Sequence, residues 1–190
     1  MKCILCEDLS LMHVCNRCQI NFLQPQIYRR KIKNTEVISF YKYSDIKNLL
    51  HTKHTDLGYY IYNILAKNSF EKFANEFKFS SLVYSIAVDD NTKSGYSHTA
   101  ILNKQLKSKN IKPLFNKLIA KNNVSYSGKS KEYRLSNPRD FELKNIVAKD
   151  VILVDDIITT GSTLSQSIDA LKQKEKNILF CLTLADSSLK

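Results

Sequence analysis

The run Val151-Ile-Leu-Val-Asp155-Asp156-Ile-Ile-Thr159-Thr160-Gly161-Ser162-Thr163 constrains the fold more than any other segment. Val151–Val154 is short and wholly apolar, the signature of a strand buried on both faces of a parallel sheet. A helical repeat follows over 163–173, with Leu164, Ile168 and Leu171 at steps of three and four. A second apolar run, Ile178–Ala185, reads as the next strand. Strand, helix and strand at this spacing form a βαβ unit with parallel strands and a right-handed crossover. The chain is therefore expected to be α/β, with a mainly parallel sheet.

Periodicity fills in the rest. Val37–Tyr43 and Leu82–Val88 predict strands, the second ending at Asp89-Asp90. Helical spacing appears in 45–51, in a long apolar face over 57–79, and in 98–109. Ser69 is expected either to break the long face or to cap a second helix. Residues 110–140 show little apolar period and few turn markers. Three regions follow: a compact knob at 1–24, a basic connector at 25–36, and the α/β domain at 37–190. A length of 190 residues with 43% hydrophobic content suits one medium domain plus a small appendage. No apolar run approaches the roughly 18 residues of a membrane span, and Met1–Asp8 lacks the apolar stretch of a secretory signal. A soluble cytoplasmic protein is expected.

The loop after Val151–Val154 carries the chemistry. Two carboxylates sit where open α/β sheets place their ligands, at the carboxyl end of a strand. Thr159, Thr160, Gly161, Ser162 and Thr163 then open a helix with small hydroxylated side chains and one glycine. Backbone amides in such a loop, with the helix N-terminus, favour a phosphate. It is not a Walker A loop, since the Gly-x-x-x-x-Gly-Lys spacing is missing. Asp155 and Asp156 would repel a phosphate unless they face hydrogen-bond donors such as vicinal ribose hydroxyls, or a Mg²⁺ shared with a diphosphate. Successive strand side chains point to opposite faces, so the two acids should reach different parts of a sugar. The segment reads as a ribose-phosphate site.

Four of the five cysteines lie within the first eighteen residues, as Cys3-x-x-Cys6 and Cys15-x-x-Cys18. Two such pairs place four thiolates around one tetrahedral zinc, a structural site with no open position. Cys3, Cys6, Cys15 and Cys18 are the expected ligands, with Lys2 and Arg17 placed to offset their charge. His13 has no partner at ligand spacing. A segment this small cannot bury a core, so metal binding would supply most of its folding energy, on the order of 10 kcal/mol.

The net charge is +11, from 29 basic and 18 acidic residues. Between Asn103 and Arg134 lie nine basic residues: Lys104, Lys107, Lys109, Lys112, Lys117, Lys121, Lys129, Lys131 and Arg134, with Glu132 the only acid. Such a stretch is either a solvated surface or a cationic face for a polyanion.

Val151–Thr163 resembles the signature of type I phosphoribosyltransferases: hydrophobic residues, Asp-Asp, two variable positions, then Thr-Gly and Thr. The resemblance implies that Asp155 and Asp156 take the ribose hydroxyls of phosphoribosyl pyrophosphate (PRPP). Thr159, Thr160, Gly161, Ser162 and Thr163 would hold its 5′-phosphate. With the cysteine knuckle, nearly the whole chain resembles the ComF (ComFC) competence family. Arg134, Asn137 and Phe141 match a stretch of that family, and Gly95-Tyr96-Ser97-His98 sits where it has Gly-Phe-Asn-Gln. His98 itself reads as a surface residue at a helix start. The resemblance implies a cytoplasmic factor that binds PRPP with Mg²⁺, binds single-stranded DNA, works with other DNA-uptake proteins, and helps DNA cross the inner membrane during natural transformation. Phe115, Tyr126 and Tyr133, among the lysines, then become stacking platforms. Two alternatives stand beside it. One is a nucleobase phosphoribosyltransferase of salvage metabolism, with Asp89–Ser94 as pyrophosphate loop through Asp90 and Lys93. The other is a zinc-ribbon adaptor that docks a partner protein.

Overall fold

The computed structural model describes residues 1–89, 95–122, 124 and 130–189. In chain order the elements are α1 (Asn16–Phe22), β1 (Tyr28–Ile32), β2 (Thr35–Lys42), α2 (Tyr43–Leu50), α3 (Asp56–Ala66), α4 (Lys72–Glu76), β3 (Val83–Val88), α5 (His98–Lys104), β4 (Ile111–Ala120), α6 (Lys131–Ser136), β5 (Phe141–Leu143), β6 (Asp150–Ile158), α7 (Ser162–Lys172) and β7 (Asn177–Asp186). A 3₁₀ turn, His51–His54, links α2 to α3.

Seven strands form one sheet in the order β1-β2-β7-β6-β3-β4-β5. Pairings β2–β7, β7–β6, β6–β3 and β3–β4 are parallel, while β1 and β5 close the two edges antiparallel. The fold is thus α/β with a mixed, mostly parallel sheet. β6 lies at its centre, which is why Val151–Val154 is fully buried.

Alternation along β6 splits the core. Ile152 and Val154 face one layer, with Leu182, Ile61, Leu65 and Leu102. Val151 and Leu153 face the other, with Leu164, Ile168 and Leu171 of α7. Cys3, Val14, Cys18 and Leu23 belong to the first cluster, so the N-terminal knob packs into the same core as α3. The ring of His13 lies 4.6 Å from that of Tyr60, and Asn68 donates to the Gln19 side chain at 2.9 Å.

Several expectations are corrected. The stretch read as a basic connector contains β1 and the start of β2, joined by a two-residue turn in which Lys33 and Asn34 both have positive φ (48° and 60°). Such a turn matches the strand twist, yet it carries no glycine to announce itself. The ambiguous 110–140 region holds the ten-residue β4. Its exposed lysine and Phe115, and its register shift against β3, hide the strand period. The helix expected over 98–109 stops at Lys104. Ser69 neither breaks nor caps: a π turn over Lys67–Glu71 links α3 to α4, and the Ser69 hydroxyl donates to the Leu65 carbonyl at 2.7 Å. Among the described residues no helix is long and apolar enough to cross a membrane.

Candidate ribose-phosphate site and metal centre

β6 continues past its apolar run to Ile158, so both acids lie within the strand rather than after it. Hydrogen bonding to β7 as far as Ile158↔Asp186 holds them there. They extend the alternation of β6, and each meets a different set of partners.

Asp156 lies on the α3–α5 side. Its Oδ2 is 3.3 Å from Lys53 Nζ and 3.3 Å from His98 Nε2, and its Oδ1 accepts the Ile157 N–H at 2.7 Å. Burial pushes this carboxyl up, but His98, Lys53 and the Ile157 amide together hold it below its ordinary value. His98 stands at a helix start as expected, but its side chain is half-buried rather than on the open surface. The residue opens α5, and its ring contacts Tyr62 as well as Asp156. Burial, aided by Lys53 and His54, lowers the His98 pKa despite the Asp156 charge. Tyr96 fixes the turn that carries Lys53, donating to the Lys53 carbonyl at 2.5 Å.

Asp155 lies on the α7 side. Its Oδ1 accepts the Asp156 N–H at 2.9 Å. Burial, reinforced by the Asp156 charge, pushes its pKa well up, against the pull of that amide and of Arg139. Arg139 also pairs with Asp89 at 3.5 Å, and its backbone N–H donates to Gln166 of α7. One acid is therefore held as a charged hub and its neighbour retains a proton more readily, the separation that lets two adjacent carboxyls take different roles.

A shallow depression beside Asp155 is lined by Ile158, Thr159, Gly161, Ser162 and Thr163. Five of the seven expected ribose-phosphate residues, Asp155, Thr159, Gly161, Ser162 and Thr163, thus line one depression, with Thr160 in the same loop outside its lining and Asp156 on the opposite face of the strand. Thr159 and Thr160 are exposed, and the hydroxyls of Thr160 and Ser162 lie 2.8 Å apart. Gly161 adopts φ 79°, a left-handed conformation that favours glycine, and a Cβ there would also meet Ile32 Cδ1 at 2.4 Å, so that methyl would have to shift. Helix α7 then presents its first-turn amides, which have no carbonyl partner inside the helix, toward the loop. Arg30 of β1 supports this turn from behind, donating to the Thr159 carbonyl at 2.7 Å. Arg30, Lys53 and Arg139 carry no local motif; they reach the site only through the fold.

Asp90 and Lys93, the expected pyrophosphate loop, lie outside the described residues, as does Lys129 of the basic stretch. Lys131 and Arg134 belong to α6. Lys104, Lys107, Lys109, Lys112 and Lys121 are exposed, and Lys117 donates to the Asn145 carbonyl at 3.4 Å. Phe115 is 43% exposed and Tyr133 39% exposed, so neither ring is core.

At the N-terminus the four Sγ atoms of Cys3, Cys6, Cys15 and Cys18 all lie within 4.8 Å of one another. The Cys15 N–H points at Cys3 Sγ (3.3 Å) and the Cys18 N–H at Cys15 Sγ (3.5 Å), as expected for thiolates in a knuckle. Burial opposes the Cys3 thiolate, yet backbone amides lower its pKa to about 6, while burial beside the other sulfurs pushes Cys18 up to about 12. Four crowded sulfurs cannot all ionise unless a cation sits among them, and the set can hold a metal such as zinc. Arg17 pairs with Asp8 beside Cys6.

A mostly parallel sheet whose central strand delivers two acids and a hydroxyl-rich helix start defines a phosphoribosyltransferase-type protein. Among solved structures the chain is similar to a hypoxanthine phosphoribosyltransferase from Staphylococcus aureus, at 18% identity over 66% of this chain and 62% of that one, with TM-score 0.39. In a second crystal form of that protein the match is 16% identical over 90% and 72%, with TM-score 0.38. An adenine phosphoribosyltransferase matches at 15% identity over 89% and 88%, with TM-score 0.40. The chain thus spans less than two thirds of the first of these structures. No curated protein matches the sequence. A family model described as PRTase-CE matches residues 22–188, and the chain belongs to that family, whose members are type I phosphoribosyltransferase-like.

Proposed function

We propose that this protein binds phosphoribosyl pyrophosphate, or a closely related ribose phosphate, at the end of β6. The carrying observation is the placement of Asp155 and Asp156 on opposite faces of one strand, directly before a glycine-turned loop that opens α7. The loop amides and hydroxyls would take the 5′-phosphate, and the acids the ribose hydroxyls. A Mg²⁺ would arrive with the diphosphate and screen it from the carboxylates. Asp156 is engaged by Lys53 and His98 in the ligand-free chain, so sugar binding would exchange an internal ion pair for hydroxyl contacts. Calorimetric titration with PRPP and Mg²⁺ tests this. Asp155→Asn with Asp156→Asn should weaken binding about tenfold or more, the scale of lost hydrogen bonds to charged groups. Unchanged affinity in the double variant would overturn the assignment.

A second activity fits the exposed lysines around β4 and the exposed ring of Phe115: single-stranded DNA binding in a ComF-like role in DNA uptake, with zinc ordering the N-terminal knob. Cationic tracks interleaved with aromatic rings favour unpaired strands. Affinity for an oligothymidylate should fall steeply between about 50 and 200 mM salt. It should also drop when Lys109 and Lys112 are changed to Gln. No binding at low salt by zinc-loaded protein removes this reading and leaves the sugar site untouched.

A further inference from the structure

We infer that Arg30, on the edge strand β1, is a positioning residue that sets the shape of the phosphate loop. The inference rests on the ribose-phosphate reading of that loop. Arg30 makes three contacts with three different groups. Its Nη2 donates to the Thr159 carbonyl at 2.7 Å, its Nη1 to Ser188 Oγ at 3.0 Å, and its Nε lies 3.2 Å from Asp186 Oδ2.

Asp186 makes this a fixed anchor. It is 2% exposed at the end of β7, and its other oxygen accepts both the N–H and the hydroxyl of Ser188 at 2.8 Å. The two Nη groups make the hydrogen bonds and Nε only an ion-pair contact, a spread that a planar guanidinium spans and a lysine ammonium, a single point, does not. Two further contacts from the same hairpin point the same way. Ile32 lies under Gly161, and Lys33 pairs with Asp169 of α7. Arg30 therefore fixes the carbonyl that begins the loop, Ile32 its floor, and Lys33 the helix that follows. With Thr159 O tied to Arg30, the backbone between the end of β6 and the first turn of α7 is held in one shape, the shape in which it would meet an anion. Arg30 itself need not touch the ligand.

Two measurements separate this inference from the reading beneath it. Amide hydrogen exchange on the ligand-free chain reports the clamp alone: Arg30→Gln and Arg30→Lys should speed exchange across 159–163 about tenfold. Arg29→Gln, which loses only the exposed pair with Glu36 on the same strand, should not. Titration reports the consequence. Both Arg30 variants should weaken ribose 5-phosphate and PRPP by a similar factor, about tenfold, and leave inorganic pyrophosphate with Mg²⁺ unaffected. A merely structural defect would weaken every ligand together. If Arg30→Gln fails to fold, Arg30→Lys keeps the charge beside Asp186 and carries the test. Wild-type exchange and wild-type affinity in the lysine variant would overturn the inference. If the wild-type chain binds no ribose phosphate, the functional reading falls, and the exchange result still decides whether Arg30 shapes the loop.

Discussion

At the scale of single residues, two neighbouring acids should respond to the same substitution with opposite signs. Asp155 holds its proton to a higher pH folded than unfolded, because burial and the Asp156 charge disfavour its ionised form. Above the ordinary value of 3.8 the folded chain therefore binds the extra proton, and stability falls as pH rises through that window. Asp155→Asn should remove the penalty and raise Tm at neutral pH, with the gain vanishing near pH 3.8. Asp156 behaves in reverse. Its folded pKa is lowered, so its contribution is present above 3.8 and lost as pH falls through the folded value. Asp156→Asn strands Lys53 and should cost about 1–3 kcal/mol at neutral pH. Urea denaturation of both variants across pH 3–8 checks the pair of signs. Equal destabilisation would mean that burial does not divide the two carboxyls.

Among elements, the hairpin β1–β2 and the helix α7 meet at Gly161. A left-handed φ of 79° and the approach of Ile32 together predict that Gly161→Ala costs about 1–2 kcal/mol from backbone strain alone. Ile32→Val in the same chain should return part of any further loss, because the Ile32 Cδ1 that a Cβ would strike is absent from valine. Chemical denaturation of the single and double variants measures both contributions. Non-additivity of at least about 0.5 kcal/mol is expected for residues in contact. The same junction marks how far the sequence could be read. β6, α7, β7 and the glycine turn were legible because period, strand end and loop chemistry are contiguous over 151–185. The hairpin was not. Its strand alternates half-buried and exposed residues rather than apolar and polar ones, and its turn is Lys33-Asn34. Lys53, Arg139 and Arg30 were illegible for another reason: each is an ordinary surface-type cation whose partner lies 103, 50 or 129 positions away.

At the scale of the whole molecule, the N-terminal knob and the α3 side of the sheet share one apolar cluster, so a metal at the four cysteines should stabilise more than the knob. Metal analysis should find about one zinc per chain. Removing it with a chelator, or changing Cys18 to Ser, should lower Tm and speed amide exchange in α3 near Tyr60 and Asn68 as well as in the first 24 residues. Faster exchange confined to those 24 residues would show the two regions to be energetically separate. The hairpin carries a similar message about portability. The segment running from β6 into α7 looks like a self-sufficient cassette of thirteen residues, Val151–Thr163, yet the Ile32 side chain packs against its glycine and the Thr159 carbonyl is tied by Arg30. Transplanted into another parallel sheet, the cassette would arrive without the outer ribbon that moulds it. A successful graft would have to carry two distant pieces of chain together.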